Sequence, residues 1–97
     1  MSFEIDGNKI IINKPLVDVE EAFDLANELN KIIDKELENI IINMQNAHTL
    51  PSIIIGKLMV LKETGINIDI IIYDDFTYTL FNDLGLTSFF NVKLSKK

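Results

Sequence analysis

Residues 68–75, Ile-Asp-Ile-Ile-Ile-Tyr-Asp-Asp, decide the fold together with two similar segments earlier in the chain. All three are short apolar runs that are rich in isoleucine and bounded by polar residues, and β-branched side chains favour strands. Runs of this length are typical of strands that are buried on both faces, in a sheet with helices packed against it. The sequence therefore predicts strands over Lys9–Asn13, Asn39–Met44 and Ile68–Tyr73.

The first helix is predicted to begin at Asp18, because Glu21 follows three residues later as in a capping box. Apolar residues then recur at helical spacing and predict the stripe that faces the core, which comprises Val19, Ala22, Phe23, Ala26, Leu29, Ile33 and Leu37. The opposite, charged side of this helix is predicted to face solvent.

Two further helices are predicted after the strand over Asn39–Met44. One follows Pro51-Ser52 and ends at Gly65, since glycine is favoured just past the end of a helix. The other begins at Asp74 or Asp75, either of which is a suitable N-cap, and ends at Gly85.

The remaining segments complete a single domain over residues 1–97. Phe3–Asp6 alternates between apolar and acidic residues and predicts a first strand, which Asp6-Gly7-Asn8 joins to the next by a hairpin turn. Leu86–Leu94 is predicted to be an apolar segment whose Phe89 and Phe90 cover the end of the core. The order β-β-α-β-α-β-α predicts the α/β class, with a mixed central sheet and helices packed against it.

The composition argues against several classes of function. The 97 residues include 15 acidic and nine basic residues, all nine of them lysines, and no cysteine. An acidic chain without arginine is poorly suited to neutralise phosphates, so we expect no nucleic-acid partner. The apolar runs are far shorter than the ~20 residues of a membrane span. No signal-peptide pattern opens the chain, so a cytoplasmic protein is expected.

Catalysis is not predicted either. His48 is the only histidine, and no serine, base and acid combine with it into a recognisable catalytic set. Asp74 and Asp75 resemble the acidic strand end of a phosphoacceptor receiver domain, but they come too late in the order of elements, so helix capping is favoured. We expect no catalytic residue, no metal site and no cofactor.

The segment from Asn46 to Ser52 is the predicted functional loop, because ligands and partners of α/β sheets gather at the carboxyl ends of strands. Ser52 lies at or next to the start of the second helix, where free N–H groups and the helix dipole favour negative charge. Ser52 is therefore the candidate phosphoacceptor. The alternative is that its hydroxyl serves only as an N-cap.

The second helix carries more isoleucine than one face can bury. Ile54, Leu58 and Leu61 form its natural core stripe, which leaves Ile53 and Val60 pointing outward. An apolar outer face beside the loop predicts a contact surface, unless the third helix or the C-terminal segment covers it. The predicted partner-binding residues are His48, Thr49, Pro51, Ile53, Gly56, Lys57 and Val60.

The stretch from Asn39 to Val92 resembles the STAS domain, the family of anti-sigma-factor antagonists and of the cytoplasmic domains of sulfate transporters. The segments that carry the resemblance are 40–44, Ser52, 58–65, 68–73 and the closing run 80–92, with its Gly-Leu pair and terminal aromatic residues. Switching members of the family carry an Asp-Ser-(Ser/Thr)-Gly-Leu motif whose first serine is phosphorylated. Ser52 matches that serine, whereas Pro51, Ile53 and Ile54 replace its neighbours.

The resemblance implies a non-enzymatic domain that binds a protein partner, either an anti-sigma kinase or a component of a larger assembly, through the unmodified surface around Ser52. An alternative is an accessory subunit of a membrane lipid or anion transporter, which needs a durable interface and no phosphorylation. A small-ligand carrier or minor enzyme on the same scaffold is a third option, and it predicts an enclosed pocket. A homodimer through the outward isoleucine face of the second helix is a further expectation.

Overall fold

The computed structural model describes residues 2–33, 35 and 37–95, and it confirms the α/β class. Five strands and three helices follow the predicted order, with one strand more than expected. The strands are β1 (Phe3–Asp6), β2 (Lys9–Ile12), β3 (Asn39–Met44), β4 (Asn67–Ile72) and β5 (Asn91–Leu94). The helices are α1 (Val19–Ile33), α2 (Ser52–Glu63) and α3 (Asp75–Asp83), and a short 3₁₀ turn spans Leu86–Ser88.

The five strands form one mixed sheet in which spatial order follows chain order, from β1 to β5. β1 is antiparallel to β2, and every other neighbouring pair is parallel, as the intervening helices require. The prediction missed β5, because its short, partly exposed edge sequence lacks the isoleucine runs of the inner strands. Of the two phenylalanines expected to cover the core, Phe90 is buried but Phe89 is half-exposed.

The expectation that the strands are buried on both faces is wrong. One alternating set of side chains, which includes Ile42 and Ile70, is buried in the same cluster as the core residues of all three helices. On the opposite side of the sheet Ile11, Ile41 and Ile71 are only partly buried and do not belong to this cluster. The helices therefore lie on one face, and we call the other the open face.

The predicted start of α1 is confirmed, but its buried stripe lies differently. The Asp18 carboxylate accepts a hydrogen bond from the Glu20 N–H at 2.9 Å, as an N-cap does. Glu21 does not complete the capping box in the expected way, because its carboxylate accepts from the Ser2 hydroxyl. The side chain of Ile33, which was assigned to the core stripe, lies outside the described residues.

Val19 and Phe23 are errors in the predicted stripe of α1, since they are 67% and 53% exposed. Leu25 and Ile32 are buried in their place. Leu37 is a third error, because the helix ends at Ile33, although Leu37 packs against the core. Ala22, Ala26 and Leu29 belong to both stripes, so the helix is rotated about its axis relative to the prediction and turns its two first-turn apolar residues outward. The rotation matters for the site described below.

The stripe predicted for α2 is confirmed, because Ile54, Leu58 and Leu61 are its buried residues. Gly65 follows this helix with a φ of 98°, in the left-handed region that glycine adopts without strain. Within the described ranges no helix is long and apolar enough to cross a membrane.

Gly65 and Gly56 provide a matched pair for testing this backbone assignment. A Cβ at either position meets nothing within 4 Å, so the two substitutions differ in backbone conformation rather than in packing. We expect Gly65→Ala to lower the free energy of unfolding by about 1–2 kcal/mol, because alanine is strained at positive φ. Gly56→Ala, in the helix interior, should raise it by up to about 1 kcal/mol. Urea unfolding of both variants measures the difference, and equal effects would contradict the assignment.

Candidate functional site

The start of α2 lies at the carboxyl ends of β3 and β4, beyond the loop that leaves β3. Pro51 occupies the N-cap position and Ser52 is the first helical residue, so the alternative in which the Ser52 hydroxyl caps the helix is wrong. Pro51 has no side-chain group that can cap, and its carbonyl accepts the N–H groups of Ile54 and Ile55 at 3.0 and 3.1 Å. Ser52 itself is exposed.

An open hollow of about 330 Å³ lies beside Ser52 and separates the start of α2 from the start of α1. Pro51, Ser52 and Ile53 line one side of it. The other side is formed by the segment that leads into α1 and by its first turn, namely Leu16, Val17, Asp18, Val19, Ala22 and Phe23. We call the apolar and hydroxyl groups of this hollow, Val17, Val19, Phe23, Pro51, Ser52 and Ile53, the Ser52 surface.

The α1 part of the Ser52 surface was missed from the sequence, although a signal for it was present. Val17, Val19 and Phe23 crowd more apolar residues into the start of α1 than one stripe can bury. The same argument had identified the surplus isoleucines of α2. In the structure the outward apolar residues at the starts of α1 and α2 face each other across the hollow. Val17, Val19 and Phe23 are all more than half exposed.

The outward residues predicted on α2 continue from the Ser52 surface along the helix. Gly56 is exposed, Lys57 is partly buried and Val60 is 50% exposed. The α3 helix and the C-terminal segment therefore do not bury this face, which was the alternative to a contact surface. Ile53 is partly buried and packs against the core, so its outward exposure is smaller than predicted.

His48 does not line the hollow beside Ser52 and instead joins the loop to α3. Its Nδ1 atom lies 3.2 Å from Asp74 Oδ1 and 3.1 Å from Thr77 Oγ1. The loop is anchored by the buried side chains of Ala47 and Leu50, whereas Thr49 between them is exposed. The predicted partner-binding set therefore divides into a Ser52 side and a His48 side.

Asp74 is the N-cap of α3, which confirms one of the two helix starts that the sequence predicts. Its carboxylate accepts the Thr77 N–H at 2.9 Å and the Thr77 hydroxyl at 2.7 Å. Partial burial acts to raise the pKa of Asp74, but the hydrogen bonds from Thr77 and then from His48 outweigh it, and the pKa lies below its ordinary value of 3.8. The carboxylate is thus stabilised in its charged form.

Other features of the described residues do not suggest a reaction centre. In the ranges that the structure describes, no three His, Asp or Glu side chains are grouped so that they could hold a metal ion. A larger open hollow of about 820 Å³ lies between β1 and α1, and charged residues such as Asp24, Glu28 and Lys31 line it. Both hollows are open to solvent rather than enclosed.

Comparison with known proteins gives a fold relative and no family. No protein-family model matches the chain, and no curated protein matches it. The NMR structure of the protein TM1081 is similar, with a TM-score of 0.70 at 12% sequence identity. The alignment covers 96% of this chain and 79% of that one. Similarity at this identity shows a shared fold alone.

The Asp74 cap predicts a stability contribution that depends on pH. Because the folded pKa is lowered, the contribution is present above the ordinary pKa and is lost as the pH falls through the folded pKa. We expect Asp74→Ala to cost about 1 kcal/mol of unfolding free energy at neutral pH, as N-cap removal typically does. The difference from the wild type should shrink as the pH falls below the ordinary value of 3.8.

Urea unfolding at several pH values measures this contribution. Asp83→Ala, at the opposite end of α3, is the control, since removing an acid from a helix C-terminus should not destabilise it. If Asp74→Ala were as stable as the wild type at neutral pH, the assignment of Asp74 as the N-cap would be wrong.

Proposed function

We propose that this chain is a non-enzymatic, STAS-like interaction domain that binds a partner protein through the Ser52 surface and the outward residues of α2. The observation that carries the proposal is the open apolar hollow beside an exposed serine at the start of a helix. The resemblance of residues 39–92 to STAS domains supports it, because Ser52 matches the position of the family's phosphoacceptor.

The chemistry of the Ser52 surface suits a protein partner. Val17, Val19 and Phe23 are exposed next to one another, and burial of apolar surface contributes roughly 25 cal/mol per Å². Exposed apolar patches of this kind mark contact sites more often than scattered single residues do. A partner that inserts an apolar side chain into the hollow would cover Phe23 and Ile53 together, which a small polar ligand would not do.

Phosphorylation of Ser52 would switch this contact through charge. A partner kinase would transfer the γ-phosphoryl group of ATP to the Ser52 hydroxyl, releasing ADP and the hydroxyl proton. The product carries about −1.5 to −2 charges at neutral pH. The α2 N-terminus tolerates such a charge, because the positive end of the helix dipole lies there, so the domain stays folded. The partner must desolvate the same charge against an apolar surface, which opposes binding.

A second candidate is an accessory subunit of a membrane lipid or anion transporter. Pro51 and Ile53 favour it, because apolar residues on both sides of Ser52 suit a permanent contact better than a repeatedly modified loop. In this case the partner is a transporter ATPase and Ser52 stays unmodified. Both candidates place the protein in the cytoplasm, without nucleic acid, cofactor or metal.

Phe23 and Phe76 allow a matched test of the surface. Both are exposed helical phenylalanines, at 53% and 73%, but only Phe23 borders the hollow. We expect Phe23→Ser to weaken partner binding at least about tenfold, the loss typical of an interface hot spot. Phe76→Ser should bind as the wild type does. The full-length chain serves as bait, mass spectrometry identifies the captured proteins, and calorimetry with the purified partner measures the affinities. If the two variants bound the partner equally well, the Ser52 surface would not be the binding site.

Substitutions of Ser52 test the switch separately. Since Pro51 holds the N-cap position, Ser52→Ala should change the free energy of unfolding by less than about 0.5 kcal/mol and leave binding intact. Ser52→Asp should keep the fold but weaken binding about tenfold, because it puts a charge on the apolar surface. If Asp binds as well as Ala at equal stability, the switch is wrong. Capture of a kinase or of a transporter ATPase then decides between the two candidates.

A further inference from the structure

The open face of the sheet carries two complete rows of side chains, one residue from each strand. The strand register places one row across the sheet through Ile41, in the order Asp6, Lys9, Ile41, Asp69 and Asn91 from β1 to β5. The next row on this face passes through Asn43, in the order Glu4, Ile11, Asn43, Ile71 and Lys93. All ten residues are exposed or partly exposed.

Both rows are self-complementary about their central residue. In the Asn43 row, an acid on one edge strand is matched by a base on the other, Glu4 against Lys93, and Ile11 is matched by Ile71. In the Ile41 row, Lys9 on β2 is matched by Asp69 on β4. The outermost positions, Asp6 and Asn91, pair an acid with an amide.

We propose that the open face binds the open face of a second copy of this chain, around a twofold axis that runs along β3. Such an axis lays β1 over β5 and β2 over β4 of the second copy. It brings Glu4 opposite Lys93 of the second copy, Lys9 opposite Asp69 and Ile11 opposite Ile71. The strands of the two sheets then run nearly parallel, as in aligned sheet packing. This surface is distinct from the Ser52 surface, so the proposal does not depend on the proposed function.

The residue pattern selects this axis over the other face-to-face arrangement. A twofold axis perpendicular to the strands would lay each strand over itself and would exchange the two rows. Asp6 would then face Glu4 of the second copy, and Asp69 would face Ile71. The first contact is repulsive. The second buries the Asp69 carboxylate with only a hydrogen bond from the Asn39 amide at 2.8 Å and no cation, which costs more than an exposed ion pair contributes.

The size of the open face predicts a weak dimer. The five strands contain 24 residues in total, and with about 4.8 Å between strands and about 3.3 Å of rise per residue they cover roughly 380 Å² in each copy. Two such footprints total roughly 760 Å², which is below the standard size of a stable interface and fits only a weak, transient contact. We therefore expect a reversible dimer with a Kd on the order of 10–100 μM, rather than a permanent one.

Charge reversal at Glu4 and Lys93 tests the pairing directly. In the described part of the chain neither residue forms an ion pair, and four strand spacings separate them, so their contribution to the fold of a single copy is small. Sedimentation equilibrium between about 10 μM and 1 mM measures the Kd. Glu4→Lys and Lys93→Glu should each weaken the dimer on the order of tenfold, because each reverses two symmetric contacts.

Mixing the two variants provides the decisive measurement. In a mixed dimer the two substituted side chains face each other with opposite charges, and the unchanged Glu4 of one copy faces the unchanged Lys93 of the other. An equimolar mixture should therefore associate within about threefold of the wild-type Kd. Glu63→Lys at the end of α2 makes the same change of charge on the helix side and should leave the Kd unchanged. Circular dichroism melts confirm that each variant is folded.

A wild-type chain that stays monomeric at about 1 mM would overturn the proposal. It would also be overturned if the single reversals left the Kd unchanged, or if the mixture failed to recover association. Loss of partner binding in the Phe23 variant has no bearing on any of these outcomes, so the two proposals fail separately.

Discussion

The structure depends on the one-sided burial of isoleucine in the two innermost strands. β3 and β4 pair along their whole length, and their alternate side chains, Ile40, Ile42, Ile68, Ile70 and Ile72, lie in the core with almost no exposure. This apolar strip fixes where α1 and α2 must pack, because each helix can bury its own stripe only against it. It also fixes where two loops lie. Because α2 follows β3 and α3 follows β4, these two helices begin at the same edge of the sheet. The hollow beside Ser52 and the His48–Asp74 contact are both consequences of that edge.

Most of the element order could be predicted from local patterns. Isoleucine runs mark three strands, Asp18 and Asp74 mark helix starts, and Gly65 and Gly85 mark helix ends. The errors arose where periodicity alone does not identify the buried side. Ile41 and Ile71 continue apolar runs that suggested burial on two faces, but whether a helix covers the second face depends on the crossovers of the whole chain. The α1 stripe was misplaced for a related reason, because Val19 and Leu25 fit helical spacing equally well around Ala22.

The candidate site was partly visible in the sequence. Ser52 was located at the correct turn, since Pro51 marks a helix start through its fixed φ and missing N–H. The excess of apolar residues at the start of α1 was visible in the sequence, but its position opposite Ser52 could not be predicted, because it depends on how two helices distant in sequence lie against each other. His48 was grouped with Ser52 by proximity in the chain, yet a single loop can direct its residues to opposite neighbours. The loop does so here because Ala47 and Leu50 are buried in the core on either side of the exposed Thr49.

The agreement between the order of strands in the sheet and their order in the chain has a consequence for synthesis. Each strand from β2 onward pairs with the strand made immediately before it, so none has to wait for a partner encoded later in the chain. As the polypeptide leaves the ribosome, the sheet can grow by one strand at a time, with each helix closing over the strip already formed. The short strand β5 is added last, so the finished sheet has a four-residue strand at each edge, β1 and β5. The six-residue strands β3 and β4 are each an edge of the growing sheet only until the next strand pairs with them.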